Sequence, residues 1–179
     1  IEVLNNTYAD RSGAAIGGNG EQDAGIIHIK GGTVTATSAS GSDGAAIGAS
    51  TTNSVEEIRI SGGVVTAKSS DGAGIGTGSA SMNRTGKIVI EGGTVNASSW
   101  NGAGIGSGFG YNPKNPAITA EIEIHGGMIT AYSYYGACIG SGRDSSSRVL
   151  IDGGTICLEK KESETSRSDA HIGKGYEST

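Results

Sequence analysis

One five-residue block recurs six times along the chain: GAAIG at 13–17 and 44–48, GAGIG at 72–76 and 102–106, GACIG at 136–140, and a decayed DAHIG at 169–173. The steps between blocks are 31, 28, 30, 34 and 33 residues. A unit that short cannot bury an apolar face alone, so a repeat of this period implies a stack in which each unit leans on its neighbours. Two further elements recur between the blocks. Five times a pair of alternating aliphatics leads into a Gly pair, as in IIHIKGG, EIRISGG, KIVIEGG, EIEIHGG and VLIDGG. Behind each pair comes a third stretch: TVTAT, VVTAK, TVNAS, MITAY and TICLE. The chain has 33 Gly in 179 residues, which without a period would read as disorder. The strict order of the three elements reverses that reading.

Each stretch alternates with period two, the pattern of a strand with one buried face. Inward positions before the Gly pair are Ile27/Ile29, Ile58/Ile60, Ile88/Ile90, Ile122/Ile124 and Val149/Ile151. After the pair they are Val34/Ala36, Val65/Ala67, Val95/Ala97, Ile129/Ala131 and Ile156/Leu158, and in the block the Ala and Ile of GAxIG. Six small or aliphatic side chains per coil suit a narrow three-sided tube whose like strands pair in parallel. The predicted fold is therefore all-β: a right-handed parallel β-helix of about five and a half coils, each of about 30 residues with three short strands. Residues 1–179 are expected to form a single solenoid domain that is a segment of a larger protein. With Val3 already in strand register and no plug read at either end, end-to-end association through uncapped coils is a further expectation.

Charge and composition narrow the function. Thirteen Lys and Arg against 18 Asp and Glu give a net charge of -5, which argues against nucleic acid and anionic lipid. No apolar run approaches the length that spans a bilayer, so membrane insertion is not expected. Two cysteines, Cys138 and Cys157, are too few for a disulfide framework, and their registers point outward on different faces.

The aromatics are unevenly spread: Trp100, Phe109, Tyr111, Tyr132, Tyr134 and Tyr135 crowd together, leaving only Tyr8 and Tyr176 elsewhere. Trp100 and Tyr134 occupy the same position relative to the block on successive coils, so they should lie one rung apart. Tyr135 adjoins them, Tyr132 points out of the neighbouring strand, and Phe109 and Tyr111 belong to the long insertion FGYNPKNPAITA. Flat rings with polar tips suit stacking on sugar rings or contact with a protein partner. Other candidates are weaker. Outward Thr33, Thr35 and Thr37 are not continued as an array, giving way to Val64 and Lys68, then Asn96, then Met128 and Tyr132. Asp43, Asp71 and Asn101 precede successive blocks, but Asp-Gly and Asn-Gly are ordinary turn formers and no calcium repeat motif is present. His125 stacks by register between Glu91 and Asp152, as a cross-rung ion pair, while His28 and His171 lie in other columns, so no three-His metal site forms. No metal and no cofactor is expected.

The GGTVTA and GAGIG motifs resemble the Gly-rich repeats of large secreted or cell-surface bacterial proteins, many carbohydrate-binding or adhesin-like, and their fold resembles the pectate-lyase type of β-helix. The resemblance runs from Gly13 to Gly175. It implies an extracellular or cell-surface location, but it carries over no catalytic set. The expected function is a non-enzymatic module that binds a carbohydrate or a cell-surface protein through Trp100, Tyr134 and Tyr135, with Tyr111 and Tyr132 next. The alternatives are a structural stalk of a larger adhesin and, behind it, a polysaccharide-degrading enzyme.

Overall fold

A computed structural model of the chain describes residues 1–5, 13–19, 22–51, 53–79, 84–110, 119–160 and 170–175. All the regular structure among these residues is β. The strands pair in parallel into three sheets of six, six and five strands that wrap around one axis. One sheet collects the strands after each Gly pair, such as Thr94–Ser99 and Met128–Ser133; one collects the Ile-Gly pairs of the blocks; one collects the strands before each Gly pair, such as Val55–Ile60. This is a parallel β-helix, and it fits the right-handed form expected from the repeat.

Register turns the sequence repeat into columns. Val34 pairs with Val65, Val65 with Val95, Val95 with Ile129, and Ile129 with Ile156. On the second side, Ile27, Ile58, Ile88, Ile122 and Val149 are successive partners, and on the third Ile47, Ile75, Ile105 and Ile139. The middle members of every column are fully buried. The closed core spans about four turns, somewhat fewer than the coil count read from the spacing, because Ile16, Ile27, Val149, Ile151, Ile156 and Leu158 are only partly buried.

The corners explain the glycines. The last Gly of each central block takes a left-handed φ, 136° at Gly48, 141° at Gly76 and 135° at Gly106. A Cβ on Gly76 would lie 1.8 Å from the carbonyl oxygen of Gly106 on the next coil. The blocks themselves are less extended than period two implies. Only the Ile-Gly pair is strand, and the preceding Ala bends back: the amide of Ala73 donates to the Thr77 carbonyl at 2.8 Å, Ala103 to Ser107 at 2.9 Å, and Ala137 to Ser141 at 2.8 Å. This corrects one expectation. Cys138 does not face outward; in the bent block the middle residue turns in, so Cys138 is fully buried and its thiol donates to the Glu159 carbonyl at 3.2 Å. Burial pushes the Cys138 thiol above its ordinary range, so it stays protonated. Cys157 is exposed, and both cysteines are free.

Two substitutions at glycine separate the roles. Gly76→Ala should lower stability by more than about 2 kcal/mol, from the left-handed φ and the clash with the next coil. Gly31→Ala meets nothing within 4 Å and should change it by less than about 0.5 kcal/mol. Ile105→Ala, at the centre of its column, should cost about 2–5 kcal/mol. Urea unfolding of the three variants checks all of this.

Candidate functional site

The site is built on the corner between the strand after the Gly pair and the next block. Three coils share the local pattern Ser-x-x-Gly there: Ser69 to Gly72, Ser99 to Gly102 and Ser133 to Gly136. The buried Ser99 hydroxyl donates to the Gly72 carbonyl of the coil below at 2.7 Å and accepts the Gly102 amide at 3.0 Å. Ser133 repeats the pattern, donating to Gly102 at 2.7 Å and accepting from Gly136 at 2.9 Å. Each serine therefore clamps its own turn and ties it to the previous coil. The two residues between Ser and Gly are carried on a corner of fixed shape.

Those residues are Trp100 and Asn101 on one coil and Tyr134 and Tyr135 on the next. The Trp100 and Tyr134 rings stack with centroids 4.1 Å apart and planes 3° from parallel. Parallel stacking is one of the arrangements aromatic rings favour, and the rung register sets these two side chains one above the other. Tyr135 meets both rings edge-on, with centroids 4.6 Å from Tyr134 and 6.2 Å from Trp100. The structure thus brings together three of the five aromatic residues singled out from the sequence. Tyr132 is half-buried at the adjoining strand end, where burial and the neighbouring Tyr134 and Cys138 raise its phenol above the usual range. Tyr111 lies outside the described residues. The Arg143 guanidinium lies 5.2 Å from the Phe109 ring centroid.

Tyr134 covers one face of Trp100, from the coil above. The other face looks toward the coils below, where the outline steps inward. Trp100 remains 50% exposed and forms one wall of a cavity of about 400 Å³, whose other lining residues are Ser38, Ser40, Lys68, Ser69 and Ser70. The cause is a change of side-chain size along one column. The residue two before the block is Ser42, Ser70, Trp100 and Tyr134 on successive coils, so small side chains meet an indole halfway along the tube. The Ser38 and Ser69 hydroxyls are both spent on the Gly44 carbonyl, at 3.1 and 3.0 Å. Sequence reasoning missed Lys68 and the serines as site residues. The signal was available in that column, but it requires reading the small residues below the tryptophan together with the large ones above.

A larger cleft of about 530 Å³ lies near Asp23, Ser54, Glu56 and Gly86. It has no aromatic wall, and the Asp23 carboxylate already accepts the Ser54 amide at 2.7 Å. The acidic column before the blocks is also occupied internally: Asn101 donates to Asp71, and Ser79 donates to Asp43 at 2.8 Å. Among the described residues no three His, Cys, Asp or Glu side chains converge to hold a metal ion.

Compared with known proteins, the chain matches the beta helix repeat family over residues 27–51, 58–79, 88–109 and 122–143, together just over half of its length. Each matched segment opens on an inward-facing aliphatic before a Gly pair and closes just past a block. The corner carrying the cavity recurs inside all four. No curated protein and no solved structure matches the chain.

The sheet before the Gly pairs carries the other concentration of chemistry, and it is self-contained. Arg59 pairs with Glu57 at 2.7 Å and with Glu91; Lys87 pairs with Glu123 at 2.8 Å. His125 lies between Asp152 at 2.7 Å and Glu123 at 3.2 Å. The expected column is therefore corrected on one side: Glu91 is taken by the longer Arg59 side chain, and Glu123 from the same strand replaces it. The hydrogen bonds to Asp152 and Glu123 raise the imidazole pKa above its ordinary value. A raised folded-state pKa stabilises the fold below the unfolded value, about 6.5, and that contribution is lost as pH rises through the folded value. Stability of the wild type relative to His125→Gln should accordingly decline from about pH 6.5 upward, with Asp152, Glu123 and the Glu123 partner Lys87 as the charges facing the ring. Denaturant unfolding of both proteins across a pH series checks the sign.

Proposed function

We propose a carbohydrate-binding role for this chain, which belongs to the beta helix repeat family. One observation carries the reading: Tyr134 stacks on one face of the Trp100 ring, and the half-exposed indole forms a wall of a cavity otherwise lined by serines and Lys68. A pyranose ring offers a face of C–H groups for an indole and a rim of hydroxyls for serine. The cavity volume lies in the range of small-molecule sites. A protein partner would more naturally meet a protruding anchor, whereas this aromatic forms the wall of a recess. The rings are held in place before any ligand arrives, which keeps the ordering cost of binding low. On this reading the protein is a secreted or cell-surface module of the adhesin-like kind, with the solenoid as a rigid mount and no catalytic group required.

Trp100 is the only tryptophan, so its fluorescence reports the site directly. Titration with a panel of plant, bacterial and animal oligosaccharides should quench or shift its emission, and Trp100→Ala should weaken binding measured by calorimetry about thirtyfold, as expected for a hot-spot aromatic. Half exposed as it is, Trp100 should be replaceable without loss of the fold. Silence across the whole panel would favour the structural-stalk reading instead.

A further inference from the structure

We infer that the saccharide taken by the Trp100 cavity is anionic, carrying a carboxylate or sulfate that Lys68 binds; this rests on the carbohydrate reading above. On the sheet before the Gly pairs, Arg59, Lys87, His125 and Arg148 each stand against a carboxylate of the same surface. Lys68 is different. It is exposed, it lines the cavity beside Trp100, and it pairs with no carboxylate among the described residues.

The register explains why it stays unpaired. Its outward column reads Thr37, Lys68, Ser98, Tyr132 and Glu159, so the nearest carboxylate in that column is three rungs away, roughly 14 Å at the usual strand spacing. Around the corner, Asp71 is engaged by Asn101 and Asp43 by Ser79. The remaining polar groups of the cavity fit the same ligand. Ser38 and Ser69 are committed to Gly44, but the Ser40 and Ser70 hydroxyls have no partner among the described residues. A ring lying on Trp100 therefore finds two free hydroxyls and one ammonium, which matches a sugar with ring hydroxyls and one acidic substituent. The net charge of -5 does not attract anions over a distance, so the choice is made at contact range, where screening leaves the Lys68 charge in control.

The test uses the full chain and matched probes. Alginate and hyaluronan oligosaccharides are titrated before and after reduction of their carboxylates to primary alcohols, and carrageenan oligosaccharides before and after desulfation, with polyglutamate as an anion that has no sugar ring. At low salt the acidic form should bind about fivefold or more tightly than its neutral counterpart in at least one arm. That preference should shrink in 0.5 M salt and fall to about one in Lys68→Gln, whose unchanged melting temperature confirms the fold. The responding arm identifies the acidic group. Equal binding of acidic and neutral forms would overturn the inference and leave the carbohydrate reading standing. A preference that survives Lys68→Gln, or polyglutamate binding as well as the acidic sugars, would overturn it too. If no sugar of either kind perturbs Trp100, the carbohydrate reading falls with it.

Discussion

Everything in this molecule depends on how closely one coil lies on the next. At the block corner the two backbones meet with no side chain between them: the space a Cβ would need at Gly48, Gly76, Gly106 or Gly140 is filled by the carbonyl of the same corner on the adjacent coil. That contact and the parallel ladders hold successive coils in register, and register is what converts a repeated sequence into continuous aliphatic columns. The core is thin, with one or two aliphatics per side of each coil, so its burial depends on neighbours above and below more than on neighbours across. The same rule governs the surface. Whatever sits at a given outward position has its counterparts one rung away in both directions.

How far the sequence could be read follows from which features are set by register and which by side-chain reach. The inward pairs, the Gly corners and the stacking of Trp100 on Tyr134 are register properties, and each was legible from spacing alone. Cys138 was misread because the block closes on itself through an amide-to-carbonyl bond four residues on, a bend that alternation cannot express. Glu91 was assigned to His125 because they share a column, yet the Arg59 side chain is long enough to cross between columns and take it. The cavity was missed for a third reason. A recess is a difference between rungs, and a search for likeness between repeats averages such differences away.

Charge shows the same division of labour. The sheet before the Gly pairs sets acids and bases on alternating and adjacent rungs, where they neutralise one another across the hydrogen-bonded strands. Exposed pairs of this sort contribute little each, but they consume charges that would otherwise compete for a ligand. The strands after the Gly pairs carry mostly Thr, Ser, Asn and small apolar groups outward. A single ammonium placed there, that of Lys68, stands against a nearly uncharged background, whereas that of Lys87 is paired with Glu123.

The candidate site also illustrates how a solenoid can reshape its surface without altering its frame. The longest insertion, after the block at 102–106, is the place where a repeat protein is usually expected to carry its contacts. The aromatic wall instead occupies a corner whose Ser-to-Gly length is the same on three coils, and on the two that carry the rings the serine clamps the turn. Only the two residues inside the clamp are free to differ, and they read Ser-Asp, Trp-Asn and Tyr-Tyr on successive coils. Since the clamp is satisfied whichever side chains stand there, changing them reshapes the surface at almost no conformational cost. A step from serine to tryptophan between adjacent rungs is then enough to make a recess. Its wall is braced by the next rung up, so it is already ordered without any ligand.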